Sequence, residues 1–280
     1  MKKYMLFLLG VFAVFNANAE GVILSDTSIE EEEEFVAPTT NTHSQAKSGN
    51  YVQQQFAPGF KNILSNDTSD PLFLVGDNQF LSDTFVNFVD EKMRLGQYIG
   101  YGINNNFAVH TNLHYQFDFS GDDENGFSAT ELGGTYRMNH GTGDWHLKSD
   151  VLFGLKLWGS SHVRSPEYAD SSYYAGLRFG RQFAGLTLAG TVKSTWVFDS
   201  SRGLSYIDFI PEAYFRFKYD WRAGFGFDFR KSTNTGLLDN QEWLTLKLLR
   251  QFGNTQYVFR FDYELDDDEK QFGFDIKILF

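Results

Sequence analysis

Between Phe107 and Phe119 the chain alternates without a break. Phe107, Val109, Thr111, Leu113, Tyr115, Phe117 and Phe119 fall on one side of an extended backbone, and His110, Asn112, His114, Gln116 and Asp118 fall on the other. A period of two is the pattern of a β-strand with one apolar and one polar face. The pattern recurs. Residues 145–158 set Leu147, Val151, Phe153, Leu155 and Leu157 against His146, Lys148, Asp150 and Lys156. Residues 222–230 oppose Ala223, Phe225, Phe227 and Phe229 to Gly224, Gly226, Asp228 and Arg230. At 257–265 the apolar row is Tyr257, Phe259, Phe261, Tyr263 and Leu265, and the chain closes on Phe272, Phe274, Ile276, Ile278 and Phe280.

These segments run to ten or more residues, whereas strands of soluble domains have about 5–6 and a tilted membrane-spanning strand needs about 9–11. Charged residues stand opposite dense aromatic rows, as in a barrel whose outside meets lipid and whose inside meets water. The expected strands are 79–90, 94–103, 107–119, 127–138, 145–158, 171–183, 186–198, 205–219, 221–231, 241–252, 255–265 and 270–280. The fold class predicted is therefore all-β, a closed antiparallel transmembrane barrel of about 12 strands, with the first segment the least regular. If the N-terminus is periplasmic, the turns near 104–106, 140–143, 184–185, 220 and 253–254 fall on the periplasmic side. The more polar connections at 121–126, 159–170, 199–204, 232–240 and 266–269 then face outward.

The first 78 residues differ. Lys2 and Lys3, an apolar run from Tyr4 to Phe15 and the small residues Ala17-Asn18-Ala19 predict a secretory signal peptide over 1–19. Residues 20–78 hold ten acids against two lysines, including the run Glu30 to Glu34. Such a stretch repels itself and is expected to be a loose, disordered periplasmic extension. Its short "PGFKNIL" and "DPLFLVG" patches could dock locally, and a role as plug or partner arm stays open. The barrel domain is assigned to 79–280. Composition agrees: Phe 30, Tyr 14 and Gly 26 suit twisted sheet. A formal net charge of −12 argues against a nucleic-acid binder, and the absence of cysteine removes disulfide and thiolate-metal chemistry.

The last strand resembles that of Gram-negative outer-membrane β-barrel proteins of the porin-like class. In those, a final aromatic residue preceded by alternate apolar positions is the signal read by the barrel-assembly machinery. Phe280, Ile278, Ile276 and Phe274 match that pattern. The resemblance implies a cell outer-membrane location and contact with outer-membrane lipid and lipopolysaccharide. It points to no narrower family, cofactor or oligomeric state.

Function is then to be read from the lumen. Parity turns Lys148, Arg178, Lys193, Arg216, Lys218, Arg230, Lys247 and Arg260 inward as candidate solute-facing residues, together with acids including Glu131, Asp150, Asp208, Glu212 and Asp262. Cross-strand ion pairs could fill the interior, or charged rows could line a pore. Arg216 and Lys218 beside Lys193 and Arg230 are expected to keep spare positive charge. The reading is a narrow passive channel for small polar solutes, anionic ones among them. The alternatives are a non-conducting structural or surface-interaction barrel and, more weakly, an outer-membrane hydrolase. Catalysis would rest on Ser160, Ser161, His162 and Asp170 in one loop, and no catalytic residue is assigned. His110, His114 and His146 share the polar face without the company a metal site needs, so no metal is assigned either.

Overall fold

The computed structural model describes residues 67–280, except positions 122, 142–145, 164–165, 184, 199–203, 218–219 and 236–237. The expected signal peptide, residues 20–66 of the extension and Lys218 lie outside the described residues.

Twelve strands form the wall: β1 (Phe80–Val89), β2 (Lys92–Asn104), β3 (Phe107–Asp118), β4 (Thr130–His140), β5 (Lys148–Leu157), β6 (Ser172–Gln182), β7 (Leu186–Val197), β8 (Ser205–Arg216), β9 (Trp221–Ser232), β10 (Gln241–Phe252), β11 (Thr255–Glu264) and β12 (Lys270–Leu279). Each is antiparallel to its sequence neighbour. The ring closes where β1 pairs with β12, from Leu81 opposite Leu279 to Val89 opposite Gln271. Phe80 and Phe280 complete that seam by exchanging two backbone hydrogen bonds, at 3.1 and 2.8 Å. The least regular segment of the sequence is thus a full strand, because both its neighbours specify its register. The fourth strand runs to His140 rather than 138 and starts later than expected. Gly126–Phe127 forms a separate two-residue bridge to β3, and a bulge between Arg137 and Asn139 carries β4 onward.

The faces follow the alternation. Phe259, Phe272, Leu132, Ile207 and Leu177 stand exposed on the outside, whereas Val258, Asp208, Asp262 and Asp275, of the opposite parity on their strands, are buried inside. An apolar band on the outside with charges within is what a hydrocarbon solvent demands. Both chain termini of the barrel, the turns at 105–106 and 253–254 and the strand ends His140, Lys148, Gln182, Leu186, Arg216 and Trp221 lie at one end. The longer connections, including 158–171 with its short helix α1 (Pro166–Ala169), lie at the other.

Residues 67–78, the last part of the segment expected to be disordered, are ordered and pack inside the end that carries the termini. Leu72 and Val75 are buried, and Val75 clusters with Leu81, Ala108 and Leu279 from the wall. The physical reason is local. The apolar run after Pro71 has wall side chains to pack against, and Gly102 leaves room for the crossing backbone, since a Cβ there would stand 1.7 Å from the Gly76 carbonyl oxygen. Asn78 N–H donates to the Gly102 carbonyl at 2.9 Å and leads the chain into β1.

Phe259, 57% exposed at the middle of β11, provides a check on the outer face. Phe259→Arg is expected to destabilise the lipid-embedded barrel by about 2–4 kcal/mol. Chemical unfolding in lipid vesicles measures this, and an unchanged midpoint would place that face in water.

Candidate functional site

The site is the lumen. At the terminus-bearing end the segment 67–76 crosses from β2 and β12 to β8 and β9. Asp67 is fully buried. One of its carboxylate oxygens accepts from Tyr214 Oη at 2.5 Å and Gln256 Nε2 at 2.8 Å, and the other from Arg216 Nε at 3.1 Å and Arg222 Nε at 3.3 Å. Thr68 Oγ1 donates to Gln256 Oε1 at 2.8 Å. Asp70 accepts from Thr187 Oγ1 at 2.7 Å, Gln182 Nε2 at 2.9 Å and Arg216 Nη2, and caps its own turn by accepting from Leu72 N–H at 2.8 Å. Beside them Arg137 and Arg178 clasp Asp150 from both sides, with Nε distances of 2.7 Å each. Both arginines then reach the segment's backbone, Arg137 donating to the Leu72 carbonyl at 2.7 Å and Arg178 to that of Phe73 at 3.0 Å.

The middle level is open. A cavity of about 590 Å³ lies between the segment and the 158–171 connection, walled by Asp83, Arg94, Tyr98, His114, Arg178, Lys247 and Arg260 among others. Tyr168 hangs into it from α1, with the Arg94 guanidinium 3.8 Å above its ring and His114 edge-on at 5.6 Å. A second space of about 240 Å³, next to Asp228, Arg230 and Trp243, shares Tyr168, Glu212, Lys247 and Arg260 with the first. At these levels the wall supplies its own counter-charges. Lys247 pairs with Glu212 at 3.1 Å, Arg260 with Asp262 at 2.9 Å and Lys277 with Asp83 at 3.4 Å. Lys193 and Arg230 share Asp208, at 3.3 and 2.6 Å.

Every described basic candidate from the sequence reaches the lumen and finds partners there. Arg216 is taken by Asp67 and Asp70, Lys193 and Arg230 by Asp208, and Lys148 donates to Gln182. Buried cations persist only with partners, and the segment 67–76 brings two of them, Asp67 and Asp70. Sequence reasoning missed Arg222, although it shares the inward parity of Gly224, and Arg94 on β2. It also missed Tyr168, which no strand pattern places, and Asp67 and Asp70. The terminal signal residues Phe280, Ile278, Ile276 and Phe274 lie on the outward row of β12, with Phe280 67% exposed.

The proposed catalytic loop shows little geometry. Ser160 Oγ lies 3.4 Å from His162 Nδ1, both exposed and two residues apart. Among the histidines, His110 contacts Glu131 at 3.1 Å, His114 lies tilted against Phe85 with ring centroids 6.2 Å apart, and His146 contacts the Gly141 carbonyl. Among the described residues no group of three or more acids and histidines could hold a metal ion.

No family model matches the chain, and no curated protein matches it. Solved structures do. The KdgM porin superposes with a TM-score of 0.55 at 14% identity, covering 71% of this chain and 98% of that one. The NanC porin gives 0.54 at 9%, covering 71% and 98%. An outer-membrane channel from Pseudomonas putida F1 gives 0.55 at 10%, covering 76% and 99%. At such identities the likeness is one of fold, and the chain has the closed twelve-stranded barrel fold of outer-membrane porins.

Asp150 is the sharpest test of the clasp. Asp150→Asn leaves two buried guanidinium groups facing each other, and a loss of about 3–5 kcal/mol is expected. Denaturant unfolding reads it out, and a change below about 1 kcal/mol would mean that the segment's carbonyls alone hold the arginines.

Proposed function

We propose that the protein is a narrow passive outer-membrane channel for small polar solutes, biased toward anions and closed at rest by its own residues 67–76. The carrying observation is open space inside a closed barrel: the cavity of about 590 Å³ with charged walls, continuing toward the loop-bearing mouth past Tyr168. A lumen built only as filler would pack its side chains together. The anion bias is supported by the arginines along the path. It is also supported by a neighbour of the same fold, the KdgM porin, described in complex with disordered oligogalacturonate, a polyanion.

In this reading the termini face the periplasm, an N-terminal signal peptide directs secretion, and the aromatic C-terminus addresses the chain to the assembly machinery. Acid-rich tips such as Asp266 to Glu269 then face outward, next to lipopolysaccharide. A second reading, a non-conducting structural barrel, draws on the same segment, because its buried ion pairs hold it firmly in the end of the lumen.

Planar-bilayer recording separates the two. The purified protein is expected to give small or infrequent openings, with a several-fold larger conductance once residues 20–76 are removed. Under a salt gradient the reversal potential should report anion preference, reduced by combining Lys247→Gln with Arg260→Gln. Silence of the truncated barrel would overturn the channel and favour the structural reading.

A further inference from the structure

The positive side chains of the lumen fall into two kinds. Most have an acid on the wall itself: Asp150 for Arg137 and Arg178, Asp208 for Lys193 and Arg230, Glu212 for Lys247. Arg216 does not. Its ionic partners among the described residues are Asp67 and Asp70, both from the segment, and its buried Nη1 has no hydrogen-bond partner there. The wall has therefore built the donor half of an anion site at this point and left the acceptor half to come from elsewhere.

The donors define what fits. One guanidinium serves both carboxylates, Nε facing Asp67 and Nη2 facing Asp70, so the two acid groups sit side by side on a single planar fork. Arg222 Nε adds a second cation to the first carboxylate at 3.3 Å, and neutral wall groups complete each half: Tyr214 and Gln256 on the first, Thr187 and Gln182 on the second. Such a fork matches carboxylate geometry and holds it through charge-assisted hydrogen bonds. Two carboxylates this close belong to a short molecule.

We propose that the seat of Asp67 and Asp70 is a binding site for a compact dicarboxylate solute, and that the segment occupies it as a tethered stand-in for that solute. The proposal rests on the channel reading and deepens it by naming a solute class. When the segment withdraws, Arg216 is left without its anions at the narrow end of the lumen, and a dicarboxylate restores both contacts at once. A monocarboxylate restores one.

The probe is succinate, compared with acetate, titrated calorimetrically into the detergent-purified protein carrying Asp67→Asn and Asp70→Asn. Succinate is expected to bind at least about tenfold more tightly than acetate, the worth of one further charge-assisted hydrogen-bonded group. Adding Arg216→Gln should remove that advantage, and the unsubstituted chain should need a far higher succinate concentration, because its own aspartates compete. Equal binding of the two acids, or succinate binding indifferent to Arg216→Gln, overturns the site. Should the amide variant fail to give a heat-modifiable barrel, Asp67→Ser with Asp70→Ser takes the same titrations, with the same outcomes decisive. Binding is read without current, so the two ideas fail separately. Succinate binding in a barrel that stays silent in bilayers would sink the channel and keep the site, and conduction without selective binding would do the reverse.

Discussion

Hydrocarbon offers no hydrogen bonds, and the rest of this structure depends on that constraint. A backbone amide facing lipid must find its partner within the protein, so the sheet has to close on itself. Here the closure falls between β1 and β12, where Phe80 and Phe280 bond to each other. Once the ring is closed, the period of two sends every second side chain outward, and the aromatic rows follow. The same geometry sends every other residue inward, so all the polarity of a strand has to be accommodated in one narrow space.

That space is governed by desolvation. A charge taken into the lumen loses water and needs a partner close by. Over most of the barrel the wall solves this internally, with pairs such as Lys247 on β10 and Glu212 on β8, which reach each other across β9. At the terminus-bearing end Asp150 serves Arg137 and Arg178, but Arg216 meets its acids on the segment, and with Arg222 it holds Asp67 in a fully buried position. The ordering of residues 67–78 is thus an electrostatic consequence of the wall, reinforced by the burial of Leu72 and Val75. The segment packs into one end of the lumen, and a cavity of about 590 Å³ remains beside it.

The barrel was legible because alternation is a local property. Most strands lie within a few residues of their expected limits, and even the irregular β1 was found from its place in the count. Parity also turned Lys193, Arg216, Arg230 and Lys247 the right way. What it could not supply was pairing. Asp67 meets its partners on strands more than a hundred residues away, and nothing in "DTSDP" marks it apart from the other acids of the extension. Tyr168 was illegible for a related reason: it enters the lumen from a connection, where no periodicity says which way a side chain points. Arg222 is different, since its parity with Gly224 was available and only the list of inward cations omitted it.

The sequence distances in the plug carry a consequence for assembly. Residues 67–76 are synthesised before any strand, yet Asp67 reaches Tyr214 across 147 positions and Gln256 across 189. Contacts so remote in the chain form late. The seat of Asp67 does not exist until β8, β9 and β11 are all in place, which leaves the segment 67–76 without this anchor through most of barrel formation. Its docking is then the last tertiary event of folding, and an ordered Asp67 marks a barrel that has been completed.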